Sequence, residues 1–277
     1  MPTDILARPA LLLTLLVLPA LAGCAWRSAV YRGIDGHPRH AETGIMHGAE
    51  PVEIDRERGR AVLLLHGWLG NPSEFGELPG ALDEAGWDVY APLHPGHGTR
   101  PVDLEGVTAE QIVSAAAARY DKLRERYERV AVLGFSMGGA VASVLAAEEP
   151  PDRLVLVAPF FGVTYRWYYL LPARAWNALL SPVVPYVESP VKLAAVNRPG
   201  AEDDFVTYRA FPRDATRVLR DLRRMVWDAA DDGPVPARIT SPTLIVYAPG
   251  DVASSPERIM AFKKSLASKQ AVVVDCN

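Results

Sequence analysis

Six short apolar runs, separated by longer polar or amphipathic stretches, constrain the fold of this chain more than any other feature. They read AVLLLHG at 61–67, WDVYAP at 87–92, RVAVLGF at 129–135, RLVLVAP at 153–159, TLIVYAP at 243–249 and AVVVD at 271–275. A nearly unbroken apolar run ending at a turn is what a strand needs when both of its faces are buried. Between the runs, residues 73–85 (with Ser73 as the cap), 108–126 and 137–148 carry helical spacing. Strands alternating with helices specify an α/β fold, a mostly parallel sheet flanked by helices. The alternation fails over 160–238, a stretch rich in Tyr, Trp, Pro and Leu with helical spacing only near 214–229. We read it as a cap inserted after the strand that follows the 137–148 helix. It would lie over the carboxyl ends of the strands, where open α/β sheets place ligands.

The first residues belong to targeting rather than to the fold. ALLLTLLVLPALAGC, at 10–24, is an apolar run ending in small residues, the layout of a secretory signal. It is short for a membrane span and is broken by Pro19. Leu21, Ala22, Gly23 and Cys24 resemble the lipobox of bacterial lipoproteins. That resemblance implies a signal peptide over 1–23, a lipidated Cys24, a tether over 24–44 and a folded domain over 45–277. Several acyl chains at Cys24 would hold the domain on a membrane of the bacterial envelope, facing the periplasm or the exterior. An ordinary secretory signal or an uncleaved anchor are the other readings, and both still export the domain. A net charge of -4 supplies no broad positive field for nucleic acid. With Cys24 acylated, Cys276 is left alone and no internal disulfide is expected. His37, His40 and His47 show no tight ligand spacing, so they read as solvated loop residues and no metal is expected.

Gly134-Phe135-Ser136-Met137-Gly138 matches G-x-S-x-G and sits between an expected strand and an expected helix. That context gives the pentapeptide its meaning. A serine at a sharp strand-to-helix turn projects its hydroxyl from the sheet edge, while Gly134 and Gly138 relieve crowding between the two backbones. The N–H of Met137 then lies at the amino end of a helix, where developing negative charge is favoured. A second donor should come from the loop HGWLGNPSEF after an earlier strand, with the N–H of Trp68 as candidate. Asp251, after TLIVYAPG, is placed to orient a histidine, and Asp203 and Asp204 are weaker rivals within the insertion. His66 reads as a residue that fixes its loop rather than as a base.

Together, HGWLGNPSEF at 66–75, PLHPGHGTRP at 92–101, GFSMGG at 134–139 and GDVASSPERI at 250–259 resemble the monoacylglycerol lipase and carboxylesterase branch of the α/β-hydrolases. The resemblance runs in order over most of residues 50–275. It implies hydrolysis of carboxylic esters through an acyl-enzyme, without cofactor or metal. Ser136 would be the nucleophile, Asp251 the triad acid, Trp68 and Met137 the oxyanion donors, and His97 a structural loop histidine. Substrates would be short to medium acyl esters or monoacylglycerol-like lipids, held under cap aromatics such as Tyr165, Trp167, Tyr168, Tyr169, Trp176, Tyr186, Phe205, Tyr208 and Phe211. The same aromatics serve equally well as the cap's own core. The departure concerns the base: all six histidines precede Ser136, whereas the family places its catalytic histidine just after the last strand. Three readings follow: a chain shortened relative to the functional protein, recruitment of His94 or His97, or an impaired relative that serves as a binding or envelope assembly protein.

Overall fold

A computed structural model describes residues 37–163, 185–189, 206–228, 233–251 and 253–276, with positions 22 and 26. Cys24, nearly all of the signal segment, the first part of the tether, Tyr165, Trp167, Tyr168, Tyr169, Trp176, Asp203, Asp204 and Phe205 lie outside the described residues.

Seven strands form one sheet in the order β1-β3-β2-β4-β5-β8-β9. They are β1 (Val52–Ile54), β2 (Arg60–Leu65), β3 (Asp88–Ala91), β4 (Arg129–Phe135), β5 (Arg153–Val157), β8 (Thr243–Tyr247) and β9 (Ala271–Asp275). Only β1 runs antiparallel to its neighbour, pairing Val52 with Ala91; every other pair is parallel. The apolar runs become strands because the sheet is covered on both sides. Along β2, Ala61, Leu63 and Leu65 enter the larger core, while Val62 and Leu64 enter the smaller one. This is the two-residue period of a strand with no solvent face.

Among the described residues from 37 onward the α-helices are α1 (Leu78–Glu84), α2 (Ala109–Arg126), α3 (Met137–Glu148), α4 (Arg217–Trp227), α5 (Val235–Arg238) and α6 (Pro256–Ser265). A reciprocal capping box between Thr108 and Gln111 starts α2, which buries Ile112, Ala116, Tyr120 and Leu123 toward the sheet. α3 is buried almost all round, as its run of small and aliphatic residues requires.

Some expectations are corrected. The 73–85 segment is not one helix capped by Ser73. Asn71 caps a short 3-10 turn at Pro72–Phe75, its side chain accepting from the Ser73 N–H, and Gly76 at φ 51 breaks the chain before α1. The edge strand β1 was not expected because three residues are too few to show a period. α6 was not expected because it commits only Ile259 and Phe262 to the core.

Within the 160–238 stretch, β6 (Tyr186–Glu188) pairs antiparallel with β7 (Ala210–Pro212). Tyr208 and Phe211 are buried against Met46, Leu69 and Leu104, so both serve as packing residues. The Tyr208 hydroxyl donates to Gly96 O at 3.0 Å and accepts from Thr99 N at 3.2 Å. Tyr186 donates to Glu105 at 2.8 Å. These bonds set the β6–β7 pair over the loops that follow β2 and β3. At the far edge of the sheet, β9 leaves Val272 and Val274 exposed. No helix among the described residues is long and apolar enough to cross a membrane.

Candidate active site

β4 ends at Phe135 and α3 begins at Met137, so the whole change of direction falls on Ser136, at φ 51 and ψ -113. A non-glycine residue rarely adopts such a backbone, which costs roughly 1–3 kcal/mol and persists only when its surroundings over-determine it. Here they do. A Cβ on Gly134 would overlap the Gly138 carbonyl, and a Cβ on Gly138 would overlap the Leu65 carbonyl. One on Gly139 would come within 2.8 Å of the Pro159 side chain. The helix can therefore press onto the ends of β2 and β4 only because these three positions lack side chains. Ser136 is further fixed by its N–H donating to Val157 O at 2.9 Å, while its carbonyl accepts from Gly139 N at 3.0 Å and Phe160 N at 2.8 Å.

Met137 is the first residue of α3, so its N–H has no intrahelical acceptor. The loop after β2 carries Trp68. Among the described residues, neither the Met137 N–H nor the Trp68 N–H is bonded to a protein acceptor. The loop is held in shape by Glu74, whose Oε2 accepts from Gly67 N at 2.7 Å, and by Thr207, whose hydroxyl donates to Leu69 O at 3.0 Å. Burial pushes the Glu74 carboxyl up to about 7, against the opposing pull of the Gly67 N–H. Trp68 meets Phe211 edge-on at 6.2 Å, which joins this loop to β7.

His66, His94 and His97 form a buried cluster beneath this loop, with ring centroids 4.3, 5.3 and 6.0 Å apart. His66 Nε2 accepts from His94 N at 3.0 Å, so its Nδ1 carries the proton and donates to Gly67 O at 2.9 Å. Both ring nitrogens are thereby committed, and His66 is a support of the loop. His94 Nε2 donates to His66 O at 3.2 Å, and His97 Nδ1 donates to Pro95 O at 3.0 Å. Burial, reinforced for His66 and His94 by the other imidazoles, keeps the cluster neutral. His66 lies well below the ordinary imidazole value, His94 at about 3 and His97 at about 4.

On the other side of Ser136, Asp251 follows β8. Its Oδ1 accepts from Ala253 N at 2.8 Å and Ser254 N at 2.9 Å, which closes a tight turn. Ser254 Oγ donates to Ala158 O at 2.7 Å, and Ser255 N donates to Gly162 O at 2.9 Å. The segment 158–162 is the same one whose Phe160 N–H holds the Ser136 carbonyl. The loops after β4, β5 and β8 are thus stitched together along one edge of the sheet, with Ser136 and Asp251 at either end of the stitching. Sequence reasoning missed Glu74, although it lies within the quoted loop motif; its signal is a carboxylate seven residues after Gly67, close enough to fold back on that N–H.

A serine forced into left-handed backbone at the carboxyl edge of such a sheet, with backbone donors beside it, is the construction of the α/β-hydrolases. The chain has that fold, and its general chemistry is that of the esterase and lipase serine hydrolases built on it. Residues 56–275 match the family described as serine aminopeptidase, S33, and the chain belongs to that family. A carboxylesterase of Bacillus subtilis (strain 168) is 27% identical over 194 residues, covering 69% of this chain and 72% of the relative. A thermostable monoacylglycerol lipase of Bacillus sp. (strain H-257) is 36% identical over 107 residues, which is 38% of this chain and 42% of the lipase. Among solved structures, a metagenome-derived lipolytic enzyme superposes with a TM-score of 0.67 at 20% identity, over 84% of this chain and 89% of the other.

Proposed function

We propose that this chain is a carboxylic ester hydrolase in which Ser136 attacks the ester carbonyl. The observation that carries the reading is the backbone of Ser136, held at φ 51 between three crowded glycines with the unbonded Met137 N–H beside it. Attack moves the carbonyl electrons onto oxygen, and the Met137 and Trp68 N–H groups accept that charge without rearranging. Collapse expels the alcohol and leaves an acyl-Ser136, which water then hydrolyses. Asp251 orients the imidazolium formed when a histidine takes the serine proton. Among the 277 residues every histidine precedes Ser136, and His66 has no ring nitrogen to spare. Oxyanion stabilisation and binding retain part of the rate without a positioned base, so slow ester turnover by these residues alone is expected. The carboxylesterase and monoacylglycerol lipase relatives support short to medium acyl esters or monoacylglycerol-like lipids as substrates. Lipidation of Cys24 would present the site to such substrates at a membrane of the bacterial envelope.

The alternative reading is a hydrolase-fold lipoprotein that binds an acyl ligand or serves envelope assembly. Hydrolysis of a short-chain nitrophenyl ester by the full chain in detergent, beside Ser136→Ala prepared identically, separates the two. The first reading expects slow turnover that disappears in Ser136→Ala, together with covalent labelling of Ser136 by a fluorophosphonate. Equal background rates and no labelling in two folded proteins would replace it with the second.

A further inference from the structure

The turn at residues 38–50, just before the sheet begins, takes no part in the arrangement around Ser136. Arg39 and Met46 form an isolated antiparallel bridge. His40 N donates to Ile45 O at 2.9 Å and His47 N to Pro38 O at 3.0 Å, which folds the two arms of the turn together. The pairing brings the rings of His40 and His47 to a centroid separation of 4.1 Å. Glu50 then folds back onto them, its Oε1 accepting from His40 Nε2 at 2.6 Å and from Gly48 N at 3.1 Å. One nitrogen from each imidazole and one carboxylate oxygen all lie within 4.8 Å of one another. The base of the turn is anchored: Met46 and Ala49 are fully buried, Met46 N donates to Gly98 O at 2.8 Å, and Arg39 Nη2 donates to Thr99 O at 3.3 Å.

We propose that His40, His47 and Glu50 bind a borderline divalent cation of the zinc class. Two imidazoles and one carboxylate match the donors that zinc takes when it keeps a fourth position for water. Nitrogen donors of this kind disfavour calcium and magnesium, which prefer all-oxygen surroundings. Zinc bonds of about 2.0–2.2 Å set tetrahedral ligand atoms roughly 3.3 Å apart. Rotation of three surface side chains suffices to reach that spacing from the present cluster. The His40–Glu50 hydrogen bond opens as the ring takes the tautomer protonated at Nδ1, its Nε2 proton exchanging with solvent, and the metal occupies the freed Nε2 lone pair. With the His40 and Glu50 side chains 41% and 45% exposed, both ion and proton have a path. The alternative, an exposed ion pair, is worth little in stability and gives His47 no reason to join. Sequence spacing offered no hint of the site because the ligands stand seven and three residues apart and meet only through the paired arms. A bound ion would cross-link those arms where the chain enters the domain.

The test is calorimetric titration of zinc chloride into the full chain, purified in detergent without a polyhistidine tag and stripped with chelator. His47→Ala and Glu50→Gln are run in parallel, since both positions are at the surface and the stripped variants should melt with the stripped parent. The expected result is saturable binding of one zinc per chain, weakened at least about tenfold in each variant. Zinc should raise the melting temperature of the parent only. Cobalt substitution should give the visible absorption of a tetrahedral site in the parent. Absence of saturable binding, or binding of equal strength in parent and variants, would overturn the proposal.

Discussion

The two sides of the candidate site are built in different ways. On the Ser136 side, β2, β4 and α3 meet with no room for a single methyl group at Gly134 or Gly138, and the neighbouring loop rests on three buried imidazoles. On the Asp251 side, Ser254 and Ser255 hydrogen-bond the turn to Ala158 and Gly162, and the neighbouring edge strand β9 leaves Val272 and Val274 in solvent. One half is fixed by steric exclusion, the other by a few hydrogen bonds. Position enforced by crowding tolerates no substitution, whereas position enforced by hydrogen bonds yields gradually.

Gly138→Ala tests the contrast hardest. The new Cβ must displace the Leu65 carbonyl, and a destabilisation of about 4 kcal/mol or failure to fold is expected, measured as a shift in the guanidinium midpoint at unchanged slope. A folded, unshifted variant would show that the crowding is not limiting. Acid should also strike this side first. The unfolded chain protonates its histidines near 6.5, while His94 and His97 stay neutral until about 4 and 3, in the order His97 then His94. The unfolded state therefore binds more protons, and stability present above 6.5 is lost progressively as the pH falls toward those values. Protection from hydrogen exchange at 93–98, taken relative to the intrinsic amide rate at each pH, should fall between pH 6.5 and 4, and His97→Asn should flatten that dependence; protection falling equally at 250–255 would erase the distinction.

Ser136→Gly should behave in the opposite sense to most active-site truncations. It releases the backbone strain at φ 51, and a gain of about 1 kcal/mol in unfolding free energy is expected alongside complete loss of ester hydrolysis. Ser254→Ala removes only the bond to Ala158 O, and should cost about 1 kcal/mol while leaving a cooperative transition. If Ser254→Ala proved as damaging as Gly138→Ala, the two sides would be equally rigid and the comparison would fail.

The same contrast explains what the sequence disclosed. The strands were legible because a segment buried on both faces must be apolar throughout, and β4 appears with its bounds intact at Arg129–Phe135. The strand-to-helix turn at Ser136 was legible because crowding demands glycines at fixed offsets from a serine, a local signature. The shape of the Asp251 turn was not, because the partners of the Ser254 hydroxyl and the Ser255 N–H lie more than ninety residues away, at Ala158 and Gly162, and neither donor carries an address for such a partner. Glu74 escaped notice for a related reason: a carboxylate that folds onto a backbone N–H reads in sequence like any solvated acid. β6 and β7 were hidden because three-residue strands leave no period to count.

The stitching of 158–162 to both Ser136 and the Asp251 turn has an architectural consequence. Backbone bonds on the sheet side fix the span between serine and acid before the chain departs at Val163, and the next sheet strand resumes only at Thr243. The chain between those points can vary wherever it does not return to the core or the neighbouring loops, as it does at Thr207, Phe211, Val218 and Leu222, while that span keeps its length. Length and sequence can thus change in that stretch without rewiring the bonds that set the distance from Ser136 to Asp251.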